Sequence, residues 1–216
     1  MSFSLGGSMN VKIDDKVYDV KIIKKNNRNT YIRVKNGKIV VTTNYLTSKN
    51  SIIKLIDDNI TSIIRMINTD NKRQEKDDNF YYFGRKYDII YGFNGIEFGD
   101  NKVYASDEKK LDKYINIDIH RVYQERMDYW YNVFEEDIPY PNLKIRKMTS
   151  RWGVCNIKNH NITLNYNLSK YDICCLDYVI VHELSHLVHH NHSKQFWLLV
   201  AKYYPKYKMA KKILKE

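Results

Sequence analysis

Residues 181–197 read Val-His-Glu-Leu-Ser-His-Leu-Val-His-His-Asn-His-Ser-Lys-Gln-Phe-Trp, and five of the chain's seven histidines fall among them. His182 and His186 stand four apart, which on a helix puts both imidazoles on one face. Two imidazoles so placed can converge on one cation, and zinc accepts such nitrogen ligands. Glu183 follows the first histidine directly, where its carboxylate can accept a proton from a water that the metal activates. The preceding residues Tyr178 to Val181 are apolar. On a buried helix, histidines and a glutamate without a partner would be costly, which favours a metal site over a bare helix.

A catalytic zinc takes three protein ligands and keeps one position open. A glutamate from a following helix is one common third ligand, but no Asp or Glu lies between Leu187 and Lys215, and only Glu216 remains. A downstream histidine is left, and there are three: His189, His190 and His192. A straight helix would carry His189 about 10 Å from His182, against zinc–nitrogen bonds of about 2 Å. The chain must therefore turn back, and Asn191 is suited to a left-handed turn. His192 follows it, six residues after His186. That is the step of the H-E-x-x-H-x-x-G-x-x-H pattern, although the pattern has Gly where His189 stands. His192 is the favoured third ligand; His189 and His190 stay open as alternatives.

These residues need elements to hold them. The run 175–190 is an apolar helix, and Ser193 can cap a second helix over 194–204, which Pro205 interrupts. A short Lys-rich helix finishes the chain, with Tyr207, Ala210, Ile213 and Leu214 as an apolar face. Residues 143–148 read as a strand, and 161–168 as another, with Ile162, Leu164, Tyr166 and Leu168 on one face. Upstream, Leu111, Tyr114, Ile115, Ile119, Val122, Tyr123, Met127 and Trp130 follow helical spacing until Pro139 and Pro141. Residues 9–105 form a β-rich region with one helix. Asn36-Gly37 marks a hairpin there, and Ile52, Leu55, Ile56, Ile60, Ile63 and Met66 mark the helix. The polar stretch 68–79 reads as a loop. The fold class is α+β, with a division near residue 105 that makes 106–216 the catalytic domain.

The formal net charge is +11, and the last 23 positions hold seven lysines against one acidic residue. Such a tail can bind nucleic acid or an anionic surface, or can simply be solvated. Three cysteines, Cys155, Cys174 and Cys175, two of them adjacent, suggest no disulfide framework and fit a reduced compartment. No apolar run approaches the roughly 20 residues of a membrane span. Residues 1–8 lack a signal-peptide pattern and read as a leader foreign to the native gene product, ending before Met9. A cytoplasmic protein without membrane segments is expected.

The chain resembles the YgjP-like metallopeptidase family. The resemblance rests on Ser150-Arg151-Trp152-Gly153-Val154-Cys155, Ile162-Thr163-Leu164-Asn165, Asp177 to His186, Asn191-His192-Ser193 and Phe196-Trp197. It implies a zincin-like domain in which the HExxH helix packs on a small sheet, zinc sits on His182, His186 and His192, and Glu183 is the general base. Arg151 is a candidate to stabilise an oxyanion, and Asn165 to orient a ligand from behind. The strand 161–168 could receive an extended peptide. Peptide or protein is the leading substrate. A nucleotide phosphoanhydride at the same site, or a nucleic-acid-associated zinc protein, are the alternatives.

Overall fold

A computed structural model describes residues 6–215, apart from the side chains at 76 and 77. The chain forms two compact units that divide after Asp78. The sequence pattern put its division near residue 105. Of the expected leader, residues 1–5 lie outside the described residues, while Gly6 onward forms the first strand.

In the first unit, β1 (Gly6–Ile13), β2 (Lys16–Lys24), β3 (Tyr31–Lys35) and β4 (Lys38–Thr43) make a sheet ordered β1-β2-β4-β3. The β3–β4 hairpin closes through Asn36 and Gly37, both with positive φ, as the two-residue turn requires. Val20, Ile22, Ile39 and Val41 of the sheet are buried in one apolar cluster with Ile52, Ile56, Ile63 and Ile67.

Those isoleucines come from two helices rather than one. Ser48 caps α1 (Lys49–Asp58) by accepting the Ser51 N–H, and α2 (Ile60–Asp78) follows after Asn59. The second helix runs through the stretch expected to be a loop. The run Lys72 to Glu75 consists of good helix formers, and no Pro or Gly interrupts the stretch, so the helix carries through its Asn, Thr and Asp residues. Asp70 also ties it back to the sheet by accepting the Gly37 N–H at 2.8 Å.

The second unit holds every residue of interest in the histidine-rich stretch. It begins with β5 (Phe80–Tyr82), β6 (Arg85–Tyr91), β7 (Ile96–Phe98) and β8 (Lys102–Ala105), ordered β5-β6-β8-β7. Asp107 caps α3 (Glu108–Val133), which buries Leu111, Ile115, Ile119, Tyr123, Met127 and Trp130 along one stripe. Next come β9 (Asn142–Arg146), β10 (Gly153–Asn156) and β11 (Asn161–Asn165), in a small sheet ordered β10-β11-β9.

β11 stops at Asn165, short of the expected 168. The Asn165 side chain accepts the Asn167 N–H and bends the chain into a 3-10 turn over Tyr166–Lys170. The Tyr123 hydroxyl holds that bend by donating to the Asn165 and Tyr166 carbonyls. Three helices finish the unit: α4 (Ile173–Val188), α5 (Lys194–Tyr203) and α6 (Tyr207–Ile213). The protein is thus a mixed α+β chain, and no helix among the described residues is long and apolar enough to cross a membrane.

Candidate metal centre

The site is built on α4. Asp172 caps the helix by accepting the Cys174 N–H, and the residues from Cys175 to Val181 are buried. One charge lies among them. Asp177, 7% exposed, receives Arg126 Nε at 2.6 Å, Arg126 Nη2 at 2.8 Å and Trp130 Nε1 at 2.9 Å. This three-bond clamp locks α4 against α3 one and a half turns before His182.

The helix ends at Val188, and His189 is already extended at φ −124°, its N–H bonded to the Ser185 carbonyl. The chain therefore turns back two residues before Asn191, whose φ is not positive. Ser193 then caps α5 by accepting the Phe196 N–H. This reversal brings His192 onto the two helical histidines.

His182, His186 and His192 each offer a ring nitrogen, and the three atoms lie within 4.8 Å of one another. His182 Nε2 and His192 Nε2 are 3.1 Å apart. Zinc with tetrahedral bonds of about 2.0–2.1 Å separates its ligand atoms by about 3.4 Å. The donor set and its spacing fit that ion. His186 Nδ1 lies 3.2 Å from the His189 carbonyl oxygen. A carbonyl only accepts, so Nδ1 carries the proton and Nε2 keeps a free lone pair. Of the other two candidates, His189 supplies that carbonyl, and neither it nor His190 belongs to the three-nitrogen group.

Burial pushes the His182 pKa down to about 3, and the neighbouring His186, His192 and Lys211 add to this. Burial lowers His186 as well. Both are therefore neutral near pH 7, as ligation requires. The rings pack on aromatic neighbours: His186 against Phe196 at 4.6 Å and His192 stacked on Trp197 at 5.6 Å between centroids.

Glu183 projects from the same helix to β10. It is 5% exposed, and burial raises its pKa to about 8 against the opposing pull of the Cys155 N–H and Arg151. A carboxyl that titrates near neutrality can both take and return a proton. Gly153 makes the room. A Cβ there would stand 2.5 Å from Glu183 Oε1 and 2.7 Å from Cγ.

Sequence reasoning missed this part. The signal was a glycine within a strand, which often marks the close approach of another group. Arg151 is exposed, and its carbonyl accepts Asn165 Nδ2 at 2.8 Å. Asn165 also exchanges two bonds with the Met148 backbone, so its side-chain hydrogen bonds anchor the 148–151 loop. β11, the strand expected to receive a peptide, has neighbours on both sides; β10 forms the edge next to α4.

Two cavities flank Glu183, of about 290 and 340 Å³, and both reach Arg151, Gly153, His182 and Glu183. The larger contains the three histidines, and the smaller is walled by α6. The sequence profile of the YgjP-like metallopeptidase domain matches residues 28–216. The chain belongs to the YgjP-like metallopeptidase family. Membership implies a metal ion, and the three-histidine group is where these residues could bind one.

Two solved structures are similar to part of this YgjP-like chain. The metallopeptidase zymogen of Pyrococcus abyssi abylysin is 22% identical over 45% of this chain and 89% of its own, with a TM-score of 0.33. That of Methanocaldococcus jannaschii jannalysin is 26% identical over 45% and 91%, with a TM-score of 0.34. No curated protein sequence matches the chain.

Proposed function

We propose that this YgjP-like chain is a zinc metallopeptidase of zincin-like architecture, with its catalytic machinery in the unit that begins at Asn79. One observation carries the reading: three imidazole nitrogens within 4.8 Å of one another, on the helix that also projects the buried Glu183. Zinc held by His182, His186 and His192 would act as a Lewis acid on water and on the scissile carbonyl. Glu183 takes the proton of the attacking water and returns it to the departing amine. Its raised pKa, about 8, suits both halves of that exchange. Gly153 leaves the space for the carboxylate, and the nearby Cys155 N–H favours its charged form. Arg151, which lines both cavities, supplies positive charge beside the carbonyl oxygen as it becomes an oxyanion. An extended peptide lies along β10, the edge strand. Cys155, Cys174 and Cys175 are in no disulfide, which fits a reducing, cytoplasmic setting.

The test compares wild type with Glu183→Gln for zinc content and for hydrolysis of a mixed panel of peptides and nucleotides. Full zinc with peptide hydrolysis lost in the variant supports the reading. Unchanged hydrolysis in Glu183→Gln overturns the assigned base, and hydrolysis confined to nucleotides overturns the substrate.

A further inference from the structure

The two arms of the cleft differ in charge. The arm beyond Glu183, about 290 Å³, is lined by Arg151, Lys211 and Lys215, with Trp152, Val179 and Leu214 among its apolar walls. Apart from Glu183 itself, no carboxylate among the described residues lines it. No described carboxylate forms an ion pair with any of the three cations.

These cations are not a loose tail. Ala210 is 1% exposed under α6, and Trp152 Nε1 donates to the Leu214 carbonyl at 3.1 Å. Lys211 Nζ sits 4.2 Å from the centre of the Trp197 ring, the same ring that stacks on His192. The basic C-terminus thus reaches the catalytic cleft through two packed aromatic contacts.

We propose that this arm is a subsite for a substrate carboxylate, carried by an acidic side chain next to the scissile bond or by the free C-terminus of the peptide. The inference rests on the peptidase reading and narrows its substrate. A volume of 290 Å³ is at the low end of the ~300–1,000 Å³ of ligand pockets, which suits a side chain or a chain end. Apolar walls suit an alkyl stem, and unpaired cations suit the anion at its tip.

The zinc-loaded protein is assayed on four matched peptides: Glu or Gln after the scissile bond, each with a C-terminal carboxylate or amide. The pair that differs in rate identifies the source of the carboxylate. Lys211→Gln lowers that acid-to-neutral ratio of kcat/KM about tenfold. Lys215→Gln, at an exposed position outside α6, lowers it by a smaller factor and guards against a folding defect in the first variant.

In parallel, tryptophan fluorescence follows binding of glutarate and of its neutral diamide to the metal-free and the zinc-loaded protein. Glutarate is expected to bind both forms, more weakly in Lys211→Gln, and the diamide not at all. If the ratio is the same in wild type and both variants, the subsite is wrong while the peptidase stands. If no peptide is cut but glutarate binds through the lysines, the peptidase reading fails while the subsite stands. Stronger binding of a nucleoside triphosphate than of glutarate also overturns the proposal.

Discussion

Gly153 and Glu183 occupy one space between them. The position a Cβ would take on Gly153 is 2.5 Å from Glu183 Oε1 and 2.8 Å from Glu183 Cδ. Glycine 153 is not at positive φ, so its backbone would accept alanine without strain. The added methyl displaces the carboxylate instead. Gly153→Ala is therefore expected to fold and to hold zinc, yet to lose about 100-fold in kcat/KM, near the lower end of what a general base contributes. Circular dichroism, zinc content and peptide hydrolysis on one preparation check this. Wild-type activity in the alanine variant would show that Glu183 need not stand against β10.

Two ionisable groups on α4, Glu183 and His182, pull stability in opposite directions. Glu183, raised to about 8, binds more protons folded than unfolded from about pH 4.5 to 8, so its contribution falls as pH rises through that window. His182, lowered to about 3, binds fewer protons folded than unfolded from about pH 3 to 6.5, so its contribution rises with pH there. The two oppose each other where the windows overlap, and Glu183 acts alone between about 6.5 and 8. Over that interval the metal-free wild type is expected to lose stability, by at most about 1.4 kcal/mol per pH unit. Glu183→Gln has no such slope. Urea denaturation in a chelator, from pH 5 to 8.5, gives the comparison, and parallel curves for the two proteins would contradict it.

His192 is exposed, and its ring meets His182 only through the chain reversal after α4. Its loss removes a donor without opening the core. His192→Ala should leave the stability of the metal-free protein within about 0.5 kcal/mol. Zinc at 100 times its dissociation constant stabilises a folded protein by about 2.7 kcal/mol. That increment, read as a rise in Tm on zinc addition, is expected in wild type and largely absent in His192→Ala. A full zinc-dependent rise in the variant would mean that another group completes the site.

Some of this was legible because short-range rules govern it. The four-residue step from His182 to His186 needs only helix geometry, and the scarcity of downstream carboxylates, with Glu216 alone after Leu187, needs only a count. His192 was reachable by asking how far a straight helix carries its side chains. The turn itself begins at the extended His189 and not, as the sequence suggests, at a left-handed Asn191. Nothing local to Gly153 announces Glu183, thirty residues on. Nor does α6 announce that Lys211 faces the cleft. Both depend on how β10 and α6 pack on α4, which hydrophobic periodicity does not encode. The continuation of α2 through 68–78 has a simpler reason: Asn, Thr and Asp at both ends of the stretch point to a loop, but Lys72 to Glu75 favour a helix, no Pro or Gly intervenes, and Asp70 bonds back to Gly37.

Asp177 supports the site from the other side of α4. It is buried and takes all three of its hydrogen bonds from Arg126 and Trp130. Replacing it by alanine leaves a guanidinium facing an apolar interior and a buried indole N–H without an acceptor. Breaking a buried pair in this way costs about 3–5 kcal/mol. Arg126 is partly exposed, with 30% of its side-chain surface open to water, so the lower end of that range applies. Asp177→Ala is therefore expected to lose about 3 kcal/mol in urea denaturation, measured without metal so that zinc does not mask the change. Arg126→Met paired with Asp177→Leu removes both charges and should recover most of that loss. If the double variant is no more stable than Asp177→Ala, the clamp does more than neutralise a charge, and the orientation of α4 beneath His182 depends on its hydrogen bonds.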